Sequence, residues 1–178
     1  MGSRVRELSK GMVTQLHLAL ILAIDARVLV LDEPTLGLDL LYRRSFYDTL
    51  LNDYFDKERT ILLTTHQVEE VENLLTDVLF INHGHIVLAA AVEDLGARYA
   101  QLTVGPDQVP RARALQPFYE REIFGRTAFF YEGRSPDELR GLGDVRTPSI
   151  ADLFVARMQG TDGRRAEPAA APVAGVAA

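Results

Sequence analysis

Two features of the sequence predict an α/β fold with a mostly parallel sheet, and a third predicts an appendage to it. Strand-like and helix-like segments alternate up to about residue 83. The runs Val28–Leu31 and Thr60–Thr65 are continuously apolar or β-forming, as in parallel strands covered on both faces. Beyond residue 100 the pattern shifts to short strands and helices, which predicts a small α+β appendage over 101–159 after a first portion of 1–100. From Gly160 the chain is glycine, proline and alanine with a few charges, so 160–178 is expected to be disordered.

Each element follows from local pattern. Met12, Leu16, Ala19, Leu20 and Ala23 fall at helical spacing and predict a helix over 9–24. Its later part, Leu18–Ile24, is apolar all round and is expected to be deeply buried. Val28–Leu31 ends at Asp32-Glu33-Pro34, where proline stops the strand. After the Gly37 turn, Tyr47, Leu50, Leu51 and Tyr54 mark a helix over 40–56. A second strand, Thr60–Thr65, precedes a short helix, Gln67–Leu75. Val78–Ile81 and His85–Ala89 flank Asn82-His83-Gly84, a hairpin signal, and 92–100 reads as helical. In the appendage, Gln101–Val104, Glu120–Phe124 and Thr127–Tyr131 are expected strands, Ser135–Leu142 and Ser149–Gln159 expected helices.

Composition narrows the function classes. Hydrophobic residues make up 47% of the 178, enough for a core. A net charge of −6 provides no global basic field for nucleic acid. With no cysteine, thiolate metal sites and cysteine nucleophiles are excluded. The longest apolar runs, Leu18–Ile24 and Ile86–Val92, are too short to span a bilayer, so a chain in solution is expected. His83 and His85 bracket a glycine turn and supply no third ligand, which favours the turn over a metal site.

Asp32 and Glu33 follow a buried strand, where ligands bind in open α/β sheets. One carboxylate there can hold Mg²⁺ and its neighbour can orient a water; a helix cap or a salt bridge is the alternative. Ser9 stands where it can cap a helix, Gly11 where it can ease packing, and Asp39 where it can cap the next helix.

Taken together, these segments resemble a known family. Val28 to Asp39, reading VLVLDEPTLGLD, resembles the Walker B motif and D-loop of ABC ATPases. Leu8-Ser9-Lys10-Gly11-Met12 resembles their signature, and Thr64-Thr65-His66 their switch histidine. Thr147–Phe154 is similar to the closing helix of subunits serving ABC-2-type exporters. The resemblance implies the C-terminal part of a RecA-like P-loop NTPase cassette, with ATP and Mg²⁺ as cofactors. It implies that Asp32 holds the metal, that Glu33 polarises the attacking water, and that His66 bonds the γ-phosphate. Ser9, Lys10 and Gly11 would contact ATP bound by a second ATPase subunit, and Asp39 would lie at that dimer interface. A transmembrane permease would be the other partner, holding the chain at the cytoplasmic face of the membrane.

The sequence departs from the family at two points. Lys10 and Met12 replace the glycine and glutamine of the signature. The Walker A loop needs a Gly-Lys pair, and neither lysine, Lys10 or Lys57, follows glycine. The chain is therefore expected to begin about halfway through such a subunit, through a true truncation or a misplaced start. The Walker A strand would lie between Thr60–Thr65 and Val78–Ile81. Without it, poor stability and no ATP hydrolysis by the chain alone are expected. The alternative function is a non-catalytic fragment that dimerises with an intact ABC ATPase and modulates it.

Overall fold

A computed structural model describes residues 8–55 and 59–160. The expected disorder after Gly160 lies outside the described residues. By internal contacts the chain separates into two compact units, Met1–Leu74 and Leu75–Ala178.

The first unit is built on a parallel pair of strands, β1 (Val28–Asp32) and β2 (Thr60–Thr64). They run in register from Val28 opposite Thr60 to Asp32 opposite Thr64. Helix α1 (Lys10–Leu22) leads into β1, and α2 (Leu40–Thr49) connects β1 to β2. A π-helical turn, Leu50–Tyr54, extends α2 and closes with the Phe55 N–H on the Leu50 carbonyl at 2.8 Å. Phe46, Tyr47, Leu50 and Tyr54 are its buried stripe, close to the stripe read from the sequence. After β2 comes α3 (Val68–Val71), followed by a 3₁₀ turn, Glu72–Leu74.

Two burial expectations are corrected here. β1 is covered on one face only: Leu31 is 4% exposed, whereas Val28 and Val30 are each 61% exposed. Leu62 on β2 is exposed as well. An unbroken apolar run shows that both faces suit burial; it cannot show that this unit supplies a cover for each. For the same reason the end of α1 is not deeply buried. Leu18 is the one fully buried residue there, Ile21 and Leu22 are half-buried, and Leu20 and Ile24 are exposed.

The second unit opens with an antiparallel hairpin of β3 (Asp77–Asn82) and β4 (His85–Ala91). His83 and Gly84 both take positive φ, 47° and 78°, as a two-residue hairpin turn requires. Helix α4 (Val92–Arg98) then leads into β5 (Tyr99–Val104). The change of pattern near residue 100 is thus where a second, antiparallel sheet starts. That sheet has the order β6 (Tyr119–Ile123), β7 (Arg126–Glu132), β5, β8 (Asp144–Arg146). Helix α5 (Val109–Ala114) follows β5, α6 (Pro136–Leu139) follows β7, and α7 (Ile150–Gly160) closes the unit.

Alternation along the strands divides the second unit's interior. Leu102, Val104, Phe129, Tyr131, Ala112 and Leu139 form one cluster; Ala128, Phe130 and Ala156 form another. The Tyr131 hydroxyl donates to the Ala112 carbonyl at 2.7 Å, and burial pushes its pKa up to about 12. Among the described residues no helix is long and apolar enough to cross a membrane.

Candidate functional site

The parallel register places Asp32 and Thr64 side by side at the carboxyl ends of β1 and β2. The next residues on each strand, Glu33 and Thr65-His66, therefore leave the sheet at the same edge. There the Thr64 hydroxyl donates to Asp32 Oδ1. Glu33 Oε1 accepts the His66 backbone N–H at 2.9 Å and lies 2.6 Å from His66 Nδ1. The Thr65 hydroxyl donates to Glu33 Oε2 at 3.3 Å. Three sequence-predicted residues, Asp32, Glu33 and His66, are thus brought together.

The Glu33 carboxyl titrates below its ordinary value. The His66 ring hydrogen bond is the leading cause. Partial burial opposes it, and the His66 N–H adds to the lowering. Glu33 stays a carboxylate at neutral pH, able to accept a proton or orient a water.

Backbone geometry marks the same residue. Glu33 sits at φ +44°, a left-handed conformation that costs a non-glycine residue about 1–3 kcal/mol. The surroundings hold it there. Its N–H donates to the Thr64 carbonyl at 3.0 Å, and its carbonyl accepts from Leu36 at 3.1 Å. The turn continues with the Leu38 N–H on the Thr35 carbonyl at 3.0 Å and with Gly37 at φ +84°. Thr35 is buried, and its hydroxyl pairs with that of Tyr47 at 3.3 Å.

The remaining candidates lie at helix starts. The Ser9 hydroxyl caps α1 by accepting the Met12 N–H at 3.2 Å. Asp39 caps α2 by accepting the Tyr42 N–H at 3.1 Å. Both caps read from the sequence are formed. Lys10, the first residue of α1, is exposed. Gly11 lies against the turn after Glu33: a Cβ built on it would stand 3.6 Å from the Gly37 carbonyl oxygen. The start of α1 and the Gly37 turn are therefore neighbours, with the caps of α1 and α2 to either side.

Asp32 is an exposed carboxylate at the end of β1 whose Oδ1 accepts the Thr64 hydroxyl. Among the described residues no group of three or more His, Cys, Asp or Glu could hold a metal ion. A single carboxylate suits a cation that keeps most of its waters and takes phosphate oxygens, which is how Mg²⁺ binds.

In the sequence Thr64, Thr65 and Thr35 read as parts of motifs and Tyr47 as part of a helix stripe, with no contact at the site assigned to any of them. The threonines beside His66 were visible; their partners become visible only once β1 and β2 are aligned in parallel register.

Comparison with known proteins gives two results. A family model described as "AAA domain, putative AbiEii toxin, Type IV TA system" matches residues 4–72. The chain is also similar to proteins named Nod factor export ATP-binding protein I. That of Burkholderia pseudomallei (strain 1710b) is 40% identical over 135 residues, covering 72% of this chain and 44% of the relative. That of Rhizobium sp. (strain N33) is 34% identical over 167 residues, covering 86% and 54%. That of Paraburkholderia xenovorans (strain LB400) is 40% identical over 134 residues, covering 72% and 44%. The chain spans about half the length of the curated relatives it matches. With this likeness across most of its length and an α/β structure to match, the chain belongs to the ATP-binding proteins of the ABC-transporter family, within the P-loop NTPases.

Proposed function

We propose that the chain forms the signature-to-switch portion of an ATP-hydrolysing subunit that drives a separate membrane permease, in an exporter. The observation that carries this reading is the meeting of Asp32, Glu33 and His66 at adjacent ends of a parallel strand pair. Its relatives are named for export, which supports the direction of transport.

Phosphoryl transfer needs positioning and charge compensation more than covalent chemistry. Asp32 would hold Mg²⁺, which would supply compensation for the phosphate charge. Glu33 orients the attacking water and receives its proton on a carboxylate oxygen. His66 fixes that carboxylate through its N–H and ring and presents the rest of the imidazole to the γ-phosphate. Ser9, Lys10 and Gly11, at the start of α1, contact ATP held by a second subunit, where free N–H groups and the positive helix end favour phosphate. Asp39 faces that second subunit. The permease holds the assembly at the inner face of the membrane.

The 178 residues contain no Gly-Lys pair, so this chain alone carries no lysine loop to grip phosphate. In our reading these 178 residues hydrolyse no ATP when tested by themselves, and a site forms when a segment bearing that loop is supplied. Co-expression with the loop-bearing half of one of its relatives tests this. Joint purification and Mg²⁺-dependent binding of a fluorescent ATP analogue are expected. Joint folding with no nucleotide binding would refute the reading.

A further inference from the structure

We propose that Arg43 is a positioning residue that locks the turn carrying Asp39 to the segment carrying His66. The inference rests on the proposed ATPase reading for its functional meaning, but its geometry stands separately. Arg43 lies on α2, and its guanidinium reaches in two directions. Nε donates to the Leu38 carbonyl at 2.8 Å, one residue before Asp39. Nη1 donates to the side-chain oxygen of Gln67, one residue after His66, and to Glu70 Oε1 at 2.6 Å.

The fork geometry makes Arg43 suited to this. A guanidinium offers several N–H donors fixed in one plane, so holding one partner orients the others. The Arg43 and Glu70 side chains are only 21% and 24% exposed, which limits screening of the pair by water. Glu70 Oε2 is buried and has no hydrogen-bond partner among the described residues. Loss of Arg43 would leave that carboxylate without the cation that faces it.

The contacts continue to the site itself. The Gln67 N–H donates to the Thr65 hydroxyl at 3.0 Å, and that hydroxyl donates to Glu33. One turn along α2 from Arg43, Tyr47 holds Thr35 at the other end of the same turn. The face of α2 bearing Arg43 and Tyr47 therefore clamps the turn at Thr35 and Leu38. Through Arg43 it connects the turn to Gln67, Thr65 and Glu33. A displacement of the turn at the subunit interface would be transmitted to Glu33 along this path.

Spatial continuity alone does not establish coupling, so the test measures it. Hydrogen exchange in the 178-residue chain, followed by NMR, reads two amides. The Leu38 N–H bonds the Thr35 carbonyl, and the Gln67 N–H bonds the Thr65 hydroxyl. The Thr60 N–H, bonded to the Arg27 carbonyl at 2.8 Å, is the reference for global stability. Arg43→Gln should speed exchange at Leu38 and Gln67 about tenfold or more with Thr60 unchanged, the scale of losing hydrogen bonds to a charged group. Glu70→Gln removes the ion pair but touches nothing in the turn, so faster exchange at Leu38 in this variant is the signature of coupling. Arg43→Lys, with a single nitrogen, should keep Gln67 protected and lose protection at Leu38. If Glu70→Gln leaves Leu38 unchanged, or if all three amides accelerate together, Arg43 is a structural residue only and the proposal fails. Because no nucleotide enters this measurement, its outcome is separable from that of the ATPase reading.

Discussion

Glu33 Oε1 receives both the ring Nδ1 and the backbone N–H of His66, at 2.6 and 2.9 Å. Glutamate and histidine are therefore one unit, reached from two strands. A carboxylate fixed twice by the same residue cannot rotate away without breaking both contacts. The Glu33→Ala variant should expose the His66 amide. Its exchange should rise roughly 10- to 100-fold, as expected for losing a hydrogen bond to a charged acceptor worth about 1.5–3 kcal/mol. Glu33→Gln keeps an acceptor oxygen and should give a smaller rise. Equal rates in the parent and both variants would show that the contact is not formed in solution.

The caps at Ser9 and Asp39 give a stability prediction. Each side chain satisfies one helix N–H. Ser9→Ala and Asp39→Ala should each lower unfolding free energy by about 1 kcal/mol, while Ser9→Asp should lose little. Urea titration with an unchanged slope checks this. A neutral Ser9→Ala would mean that the hydroxyl does not cap α1.

Burial along β1 separates two neighbours. Leu31 is in the core and Val30 is 61% exposed. Leu31→Ala should cost about 2–5 kcal/mol, and Val30→Thr about 0.5 kcal/mol or less, the scale of surface changes. Comparable losses in urea would show that both faces of β1 are covered in solution.

In the second unit Glu132 accepts from Arg98 at 2.8 Å, from Tyr99 at 3.0 Å, and from Arg157. Burial pushes its carboxyl up, but hydrogen bonds and charge from Arg157, with help from Arg98 and Tyr99, leave it below the ordinary value. The folded pKa is thus lower than the unfolded one. Glu132 contributes stability above the unfolded carboxylate pKa, and that contribution disappears as pH falls through the folded value. Glu132→Gln should therefore be less stable than the parent at neutral pH, with the difference narrowing in acid. A difference that stays constant from neutral pH into acid would contradict the lowered pKa.

How much of this the sequence reveals depends on the kind of contact. Local chemistry is legible: Ser9 and Asp39 read as caps, and His83-Gly84 as a turn, because each needs only its neighbours. The Glu33–His66 contact spans 33 residues and becomes readable only when Asp32 is known to face Thr64. The exposure of Val28, Val30 and Leu20 was not readable, because an apolar pattern records which faces favour burial and not what this unit places over them. Helix α5 was missed because Pro110, Arg111 and Arg113 dilute its apolar signal to little more than Ala112, which is fully buried. Arg43 is one of many surface-type arginines in a sequence, and only the fold shows its side chain between the Leu38 turn and the Gln67–Glu70 segment.

Glu33 and its neighbours are proposed to belong to an ATPase site that these 178 residues, taken alone, do not complete. Steady-state Mg²⁺-ATP hydrolysis tests it, measured for the purified chain and for the chain co-expressed with the loop-bearing half of a relative. No turnover is expected from the 178 residues alone. Turnover is expected from the joint complex, falling about 10²–10⁴-fold in Glu33→Gln, the scale of removing a general base. Magnesium-dependent turnover by the chain alone that Glu33→Gln abolishes, or turnover by the complex that Glu33→Gln leaves intact, would contradict the proposal.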